Sequence, residues 1–194
     1  MTITGSQPVG LLGKTVYQFE FTGGGSVAEK IQALAAFEGI THAAPQYLFY
    51  TTQDIAGRGE TGRGDAAQYM LNKLALPDLH RTYKGSNISI AVIDSEIDAD
   101  HPDLAGVITE RYNATGADEK PHAHGTGMAG AIGSHRRLVG TAPSARLIAI
   151  RAFSTKASAA ESTSFNILKG LDYAVSKDVR IVNMSFAGPR DPSL

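Results

Sequence analysis

Apolar and polar residues alternate in a recognisable way near the start of the chain. Aromatic side chains occupy every second position in residues 15–21 (TVYQFEF), which predicts a half-buried strand that ends at a run of three glycines. Ser26 and Glu29 then form a capping box, and the apolar residues that follow recur at helical spacing. The pattern therefore predicts a strand followed by a helix that stops near Gly39.

A second strand is predicted at residues 46–50 (QYLFY). With the first strand and the helix it makes a small β-α-β unit over residues 13–52. Residues 53–68 are polar and rich in glycine, which is typical of a linker. We therefore place a domain boundary there, with a second unit at residues 69–194.

The second unit contains three nearly continuous apolar runs of strand length, at residues 88–93, 146–153 and 179–185. Such runs are typical of parallel strands that are covered by helices on both faces. A buried helical stripe lies between the last two runs, in residues 167–175. This alternation predicts an α/β fold with a doubly wound parallel sheet.

Composition excludes several classes of function. The formal net charge is -1 and we find no basic stripe, so we expect no nucleic-acid partner. The chain has no cysteine, which excludes disulfides, thiolate zinc sites and thiol nucleophiles. No secretory leader is visible and no apolar run is long enough to span a bilayer, so we expect no membrane partner and leave the compartment open.

The segment HGTGMAGAIG has two interpretations. Gly125, Gly127 and Gly130 satisfy the G-x-G-x-x-G pattern of dinucleotide-binding loops. That pattern needs a strand directly before it and an acidic residue about twenty positions later. Here a polar loop precedes it, and residues 125–160 contain no Asp or Glu. The nucleotide interpretation therefore fails both tests, and we expect no cofactor.

The other interpretation pairs His124 with Asp94. Asp94 ends an apolar strand and so lies at the carboxyl edge of the predicted sheet, where catalytic groups of α/β folds collect. A carboxylate there can fix the tautomer of a histidine that acts as a base. Either residue taken alone is more often a solvated side chain than a catalytic one.

Four segments in this order resemble the subtilisin-like serine peptidases: AVIDSEIDADHPDL, HGTGMAGAIG, GTAPSARLIAIRAF and VNMSFAGP. The resemblance covers about residues 67–194. It implies that Asp94 and His124 are the aspartate and histidine of a Ser-His-Asp triad in an endopeptidase. The glycines then belong to the helix that carries the histidine.

The same resemblance implies a binding segment for the peptide substrate at Ser185, Phe186, Ala187 and Gly188. In the family the backbone of this segment pairs with an extended substrate, and side pockets give preference. Its plainer interpretation is a strand end before a turn that contains proline. We hypothesise that Phe186 lines a pocket for an apolar substrate side chain.

Parts of the family pattern are missing. No serine after His124 lies in the Gly-Thr-Ser context of the family nucleophile, and the oxyanion asparagine would follow Leu194. We therefore expect a partner, the C-terminal half of the catalytic domain. Residues 32–50 resemble the closing half of the inhibitory prodomain that precedes many of these peptidases, which makes residues 13–52 a prodomain-like remnant.

Two departures from the family bear on chemistry. Glu96 stands where the family commonly has glycine, and its charge would favour protonation of His124. Asp103 matches a calcium ligand of some members, but the segment after the His124 helix (SHRRLVGTAP) is short and lacks asparagine. His122 and His124 form H-x-H without a third zinc ligand at suitable spacing. We therefore expect no metal.

Two hypotheses follow. The chain is either part of the precursor of a subtilisin-like serine endopeptidase, or a non-catalytic module or half of a split enzyme that another chain completes. An in-frame Gly-Thr-Ser motif in the coding DNA beyond Leu194 would support the first, and a stop codon would support the second.

We predict that these 194 residues alone do not hydrolyse casein. A base without its nucleophile and oxyanion donors retains little of the rate enhancement of a triad. Casein hydrolysis by purified, protease-free chain would contradict this prediction.

Overall fold

The computed structural model describes residues 1–51, 68–155, 160–192 and 194. The predicted linker at residues 53–68 lies outside the described residues, apart from Gln68. The described strands and helices, in chain order, are β1 (Thr2–Val9), β2 (Lys14–Glu20), α1 (Val27–Ala35), β3 (Leu48–Thr51), α2 (Tyr69–Lys73), α3 (Leu76–Leu79), β4 (Ser89–Asp94), β5 (Ile108–Asn113), α4 (Ala123–Gly133), β6 (Arg146–Arg151), β7 (Glu161–Thr163), α5 (Ser164–Ser176), β8 (Ile181–Asn183) and β9 (Phe186–Ala187).

A four-stranded parallel sheet forms the centre of the molecule, in the order β5-β6-β4-β8. Its strands come from the apolar runs of the sequence, together with β5, whose alternating burial gave no continuous run. β4 and β6 pair along their whole length, so Asp94 at the end of β4 lies opposite Arg151 at the end of β6. The carboxyl ends of these strands therefore meet at one edge, where polar side chains come together.

Helices cover both faces of this sheet. Ala91 and Ile93 of β4 pack in one core cluster with Ile167 of α5, whereas Val92 packs in a second cluster with Ala129 of α4. Successive strand residues point to opposite faces, which is why one strand contributes to both cores. The predicted α/β fold with a parallel sheet is confirmed.

The N-terminal elements differ in their pairing from a single β-α-β sheet. The predicted strand, helix and strand occur as β2, α1 and β3, and Ser26 and Glu29 form the predicted capping box. However, β2 pairs in a hairpin with β1, a strand that the sequence pattern did not indicate. β3 instead lies in a separate antiparallel sheet between β7 and β9.

A short loop follows α4 and is held by a carboxylate. Asp103 lies in a 3-10 turn at Pro102–Leu104 and is buried. Its Oδ1 accepts a hydrogen bond from the backbone N–H of Arg137 at 2.7 Å, and its carbonyl accepts one from the N–H of His135 at 3.3 Å. These two hydrogen bonds hold the loop against the turn.

None of the helices in the described ranges is long and apolar enough to cross a membrane. Within the same ranges, no three His, Asp or Glu side chains are grouped closely enough to hold a metal ion.

Candidate active site

Asp94 is fully buried at the carboxyl end of β4. Its Oδ1 accepts hydrogen bonds from the backbone N–H of Ser95 at 2.7 Å and from the Ser95 hydroxyl at 3.1 Å. A buried carboxylate is costly unless such donors surround it. The turn after β4 therefore supplies part of the solvation that Asp94 loses.

His124 supplies the remaining donor. It is the second residue of α4, and its Nδ1 lies 2.8 Å from Oδ1 and 3.0 Å from Oδ2 of Asp94. Because the carboxylate can only accept, Nδ1 carries the proton, and the lone pair of a neutral ring is then on Nε2. That nitrogen is buried and has no hydrogen-bond partner among the described residues.

The structure thus brings together the two residues that the sequence predicted as a pair, thirty positions apart. An imidazole held in one tautomer by a buried carboxylate, with its second nitrogen free, can accept a proton from a nearby hydroxyl and return it. Their catalytic role stays a prediction.

The glycines of α4 allow close packing against the sheet. A Cβ at Gly125 would lie 2.5 Å from the carbonyl oxygen of Ser95, and one at Gly133 would lie 2.7 Å from a methyl of Val107. Gly127, in contrast, has open space around its Cα. Gly125 and Gly133 are therefore needed for close contact between the helix and the sheet. This packing accounts for glycine at these positions without a bound phosphate.

Glu96 is compensated by two arginines. Its carboxylate pairs with the guanidinium of Arg111 on β5 and, at 3.3 Å, with that of Arg151 on β6. Arg151 is itself buried and donates from Nε to Oδ1 of Asn113 at 3.2 Å. The sequence alone predicts an unbalanced negative charge beside Asp94, and the two ion pairs remove the basis of that prediction.

A polar cavity of about 220 Å³ opens beside this cluster and includes Glu119 in its lining. The Glu119 carboxylate accepts hydrogen bonds from the Ser154 hydroxyl at 2.6 Å and from the Thr155 N–H at 2.8 Å. Burial raises the pKa of Glu119, but these hydrogen bonds together outweigh it and lower the pKa below its usual value. The carboxylate is thus kept ionised and fixes the chain after β6.

The segment Ser185 to Gly188 lies against strand β3. Ala187 is in register with Tyr50, and Phe186 with Thr51, in an antiparallel pair. Ser185 exchanges hydrogen bonds with the side chain of Asn183, at 3.0 and 3.3 Å. The segment is therefore a strand that already holds another part of the same chain.

Aromatic packing fixes β3 in this position. Phe49 is buried, and its ring meets that of Phe186 edge to face with the centroids 6.0 Å apart. Phe186 also packs on Phe153, at 4.9 Å between centroids. A Cβ at Gly188 would overlap the ring of Phe49. The Phe49 ring thus occupies a pocket that Phe186 lines, which we call the Phe49 pocket.

Sequence reasoning missed three parts of this region: β7, the ion pairs of Glu96, and the role of His122 at the start of α4. His122 is the N-cap, and its Nδ1 accepts a hydrogen bond from the N–H of His124 at 3.3 Å. A histidine directly before a helix of small residues could have suggested that cap. No signal in the sequence paired β3 with β7.

A model of the subtilase family matches residues 85–193 of this chain, which is more than half of its length. The chain belongs to the subtilase family. Curated subtilases also match it: subtilisin E of Bacillus subtilis (strain 168) is 35% identical over 127 residues, with 62% of this chain and 32% of the relative covered. This is a family of serine peptidases.

Two further relatives give the same result. Subtilisin of Bacillus pumilus is 35% identical over 127 residues, and thermitase of Thermoactinomyces vulgaris is 29% identical over 128 residues. Each match covers 62% of this chain and 45% of the relative. The chain thus matches less than half of the length of these subtilases.

We predict opposite effects for two alanine substitutions in α4. Gly125→Ala should lower the free energy of unfolding by about 1–3 kcal/mol, because the new Cβ collides with the Ser95 carbonyl. Gly127→Ala should raise it by about 0.5–1 kcal/mol, because the added Cβ meets no neighbour in a helix interior. Urea unfolding of the two variants measures both, and equal effects would contradict the close packing.

Proposed function

We propose that the chain is part of the precursor of a subtilisin-like serine endopeptidase, in which Asp94 and His124 are the acid-base pair. The observation that carries the proposal is the contact of Asp94 with Nδ1 of His124 at 2.8 Å, with Nε2 buried and left without a partner among the described residues. Most buried polar atoms in folded proteins have a hydrogen-bond partner, and a base whose hydroxyl partner lies outside the described residues accounts for this exception.

In this mechanism a serine hydroxyl attacks the carbonyl carbon of the scissile peptide bond. His124 takes the hydroxyl proton at Nε2 and then gives it to the leaving amine, while Asp94 stabilises the charged ring. None of the described serines is hydrogen-bonded to Nε2. The nucleophile therefore belongs to a part of the complete peptidase outside these residues, as do the oxyanion donors.

The substrate cleft of the proposal is the space now filled by β3. β3 pairs with β7 on one side (Leu48 with Thr163) and with β9 on the other (Tyr50 with Ala187). A segment that accepts one extended strand through its backbone accepts other sequences in the same way, since the ladder hydrogen bonds do not depend on side chains. Residues 185–188 are thus the proposed binding segment, with the Phe49 pocket selecting for an apolar side chain.

The N-terminal residues are then an internal inhibitor. The hairpin that precedes β3 contacts α5, where the N–H of Leu11 donates to Oδ1 of Asp172 at 3.0 Å. A Cβ at Gly5 would lie 3.3 Å from the ring of Phe165, so the hairpin backbone lies directly on this helix. These contacts support a prodomain that is anchored on the catalytic domain and occupies its cleft.

In the proposed peptidase a further part of the protein covers the edge of the sheet at β8. β8 pairs only with β4 among the described strands, and Ile181 and Met184 are about half exposed beside it. An apolar edge strand has unpaired backbone N–H and C=O groups that can pair with a further strand. The remaining half of the catalytic domain would cover this edge.

We predict that Asp94→Asn in the complete protein lowers kcat by about 10⁴-fold, because the amide favours the wrong tautomer of His124. Asp100→Asn is the matched control: Asp100 is exposed in the same segment and has no role in the site, so its kcat should stay at the unmodified value. Hydrolysis of fluorescently labelled casein measures the activity of both variants. Equal activity of the two variants would refute the proposed function.

We predict that Phe49→Ala releases β3 from the cleft. Removing a buried ring costs about 3–5 kcal/mol of local packing, and the amide protons of β3 should then exchange with solvent at least tenfold faster. Leu48→Ala is the matched control, because Leu48 is the exposed neighbour in the same strand. Hydrogen exchange followed by mass spectrometry compares them, and equal rates in the two variants would contradict the role of the Phe49 pocket.

A further inference from the structure

His122 lies beside the Asp94–His124 pair, yet nothing in the mechanism above uses it. Its Nδ1 accepts a hydrogen bond from the N–H of His124 at 3.3 Å. The same nitrogen lies 3.3 Å from the hydroxyl oxygen of Ser95. His122 therefore contacts one member of the pair directly and reaches the other through Ser95.

The hydroxyl of Ser95 has three hydrogen-bond partners but a single proton to donate. Its hydroxyl oxygen lies 3.1 Å from Oδ1 of Asp94 and 3.3 Å from Nδ1 of His122, and it accepts the N–H of Gly125 at 3.1 Å. A hydroxyl has one O–H donor, so it serves either the carboxylate or the imidazole at a given time. The direction of this hydrogen bond depends on the protonation of His122.

The two protonation states of His122 give different networks. With Nδ1 unprotonated, His122 accepts the N–H of His124 and competes with Asp94 for the Ser95 proton. In the neutral ring Nδ1 accepts, so Nε2 carries the proton; in the charged ring Nδ1 is protonated as well and can only donate, so its N–H goes to the Ser95 oxygen and the Ser95 proton goes to Asp94. The cap on the N–H of His124 is lost in that state.

Asp94 consequently holds His124 differently in the two states. When His122 is charged, Oδ1 of Asp94 receives full hydrogen bonds from the N–H and the hydroxyl of Ser95 as well as from His124. A carboxylate that is more completely hydrogen-bonded is a weaker acceptor for the imidazole. The charge on His122 thus reaches the carboxylate that orients the proposed base.

We propose that His122 is a positioning residue which, through the Ser95 hydroxyl, adjusts the hydrogen bond between Asp94 and His124. The inference rests on the proposed function for its catalytic meaning, but the coupling itself is a property of the chain as it stands. The geometry required is the shared Nδ1 of His122 and the single proton of Ser95.

The N–H of His122 donates to the carbonyl of Glu96 at 2.8 Å, and the Glu96 carboxylate is occupied by its two arginines. The titratable and charged groups on the elements around His122 are Asp94 on β4, Glu96, Asp98, Asp100, His101 and Asp103 after it, Glu110 and Arg111 on β5, Asp118, Glu119 and Lys120 before α4, His124 in α4, and Arg146 and Arg151 on β6.

NMR of the 194-residue chain tests the proposal without a nucleophile. The probe is the pH profile of the His124 Nδ1–H proton signal, a proton that is present in both charge states of the ring. In the unmodified chain we expect two inflections, one from His124 and one that coincides with the titration of the His122 ring, as in coupled sites. A profile with one inflection would overturn the proposal.

Three variants separate the route of coupling. His122→Asn keeps a side chain that caps helices well but does not titrate, so it should preserve α4 and lose the second inflection. Ser95→Ala keeps His122 but removes the hydroxyl that links it to Asp94, which we call the relay, so it should lose the second inflection as well. His80→Gln is the control, since His80 contacts the carbonyl of Thr141, and it should retain both inflections.

The outcomes are distinct from those of the proposed function. A second inflection that persists in Ser95→Ala or in His122→Asn would show coupling by another route and would overturn the proposal. Two inflections in a chain whose complete protein fails to hydrolyse casein would refute the peptidase alone. Hydrolysis by the complete protein, with one inflection in the unmodified chain, would refute the relay alone.

Discussion

A carboxylate with no access to solvent is the constraint on which the site depends. Asp94 is fully buried, so the fold has to supply hydrogen-bond donors for it at the end of β4. Ser95 supplies two of them from the adjacent turn, and His124 supplies the third from a helix that the chain reaches only after an intervening strand. The parallel sheet makes this possible because it brings α4 back over the edge where β4 ends. The position of the imidazole is thus a consequence of satisfying the carboxylate.

The same edge shows how a departure from the family is accommodated. Glu96 adds a second carboxylate two residues after Asp94, in a place that is nearly as buried. Arg111 reaches it from β5 and Arg151 from β6, and Arg151 is in register with Asp94 itself. Breaking a buried ion pair by removing one partner leaves an uncompensated charge. Glu96 and its arginines therefore form one unit, and the charge that Glu96 adds beside Asp94 is balanced.

Local patterns predicted the parts of the fold that local physics determines. The apolar runs gave β4, β6 and β8, and the capping box gave the start of α1, because each rests on residues a few positions apart. β1 was missed because most of its residues are exposed and only Val9 is buried, so it carries no apolar alternation. The insertion of β3 between β7 and β9 joins residues more than a hundred positions apart, and period-two burial in LFYT indicates a strand without indicating its partner. The pair Asp94 and His124 was accessible because the family resemblance supplied the long-range information that the pattern lacks.

The anchor of the loop after α4 bears on how this chain can change over evolution. Asp103 grips the main-chain N–H at position 137, a group that every amino acid except proline possesses. Drift in the side chain at that position therefore leaves this hydrogen bond intact, whereas replacement of the aspartate or a proline at position 137 would remove it. Selection on this hydrogen bond should thus fall on one acidic residue and on the avoidance of a single imino acid.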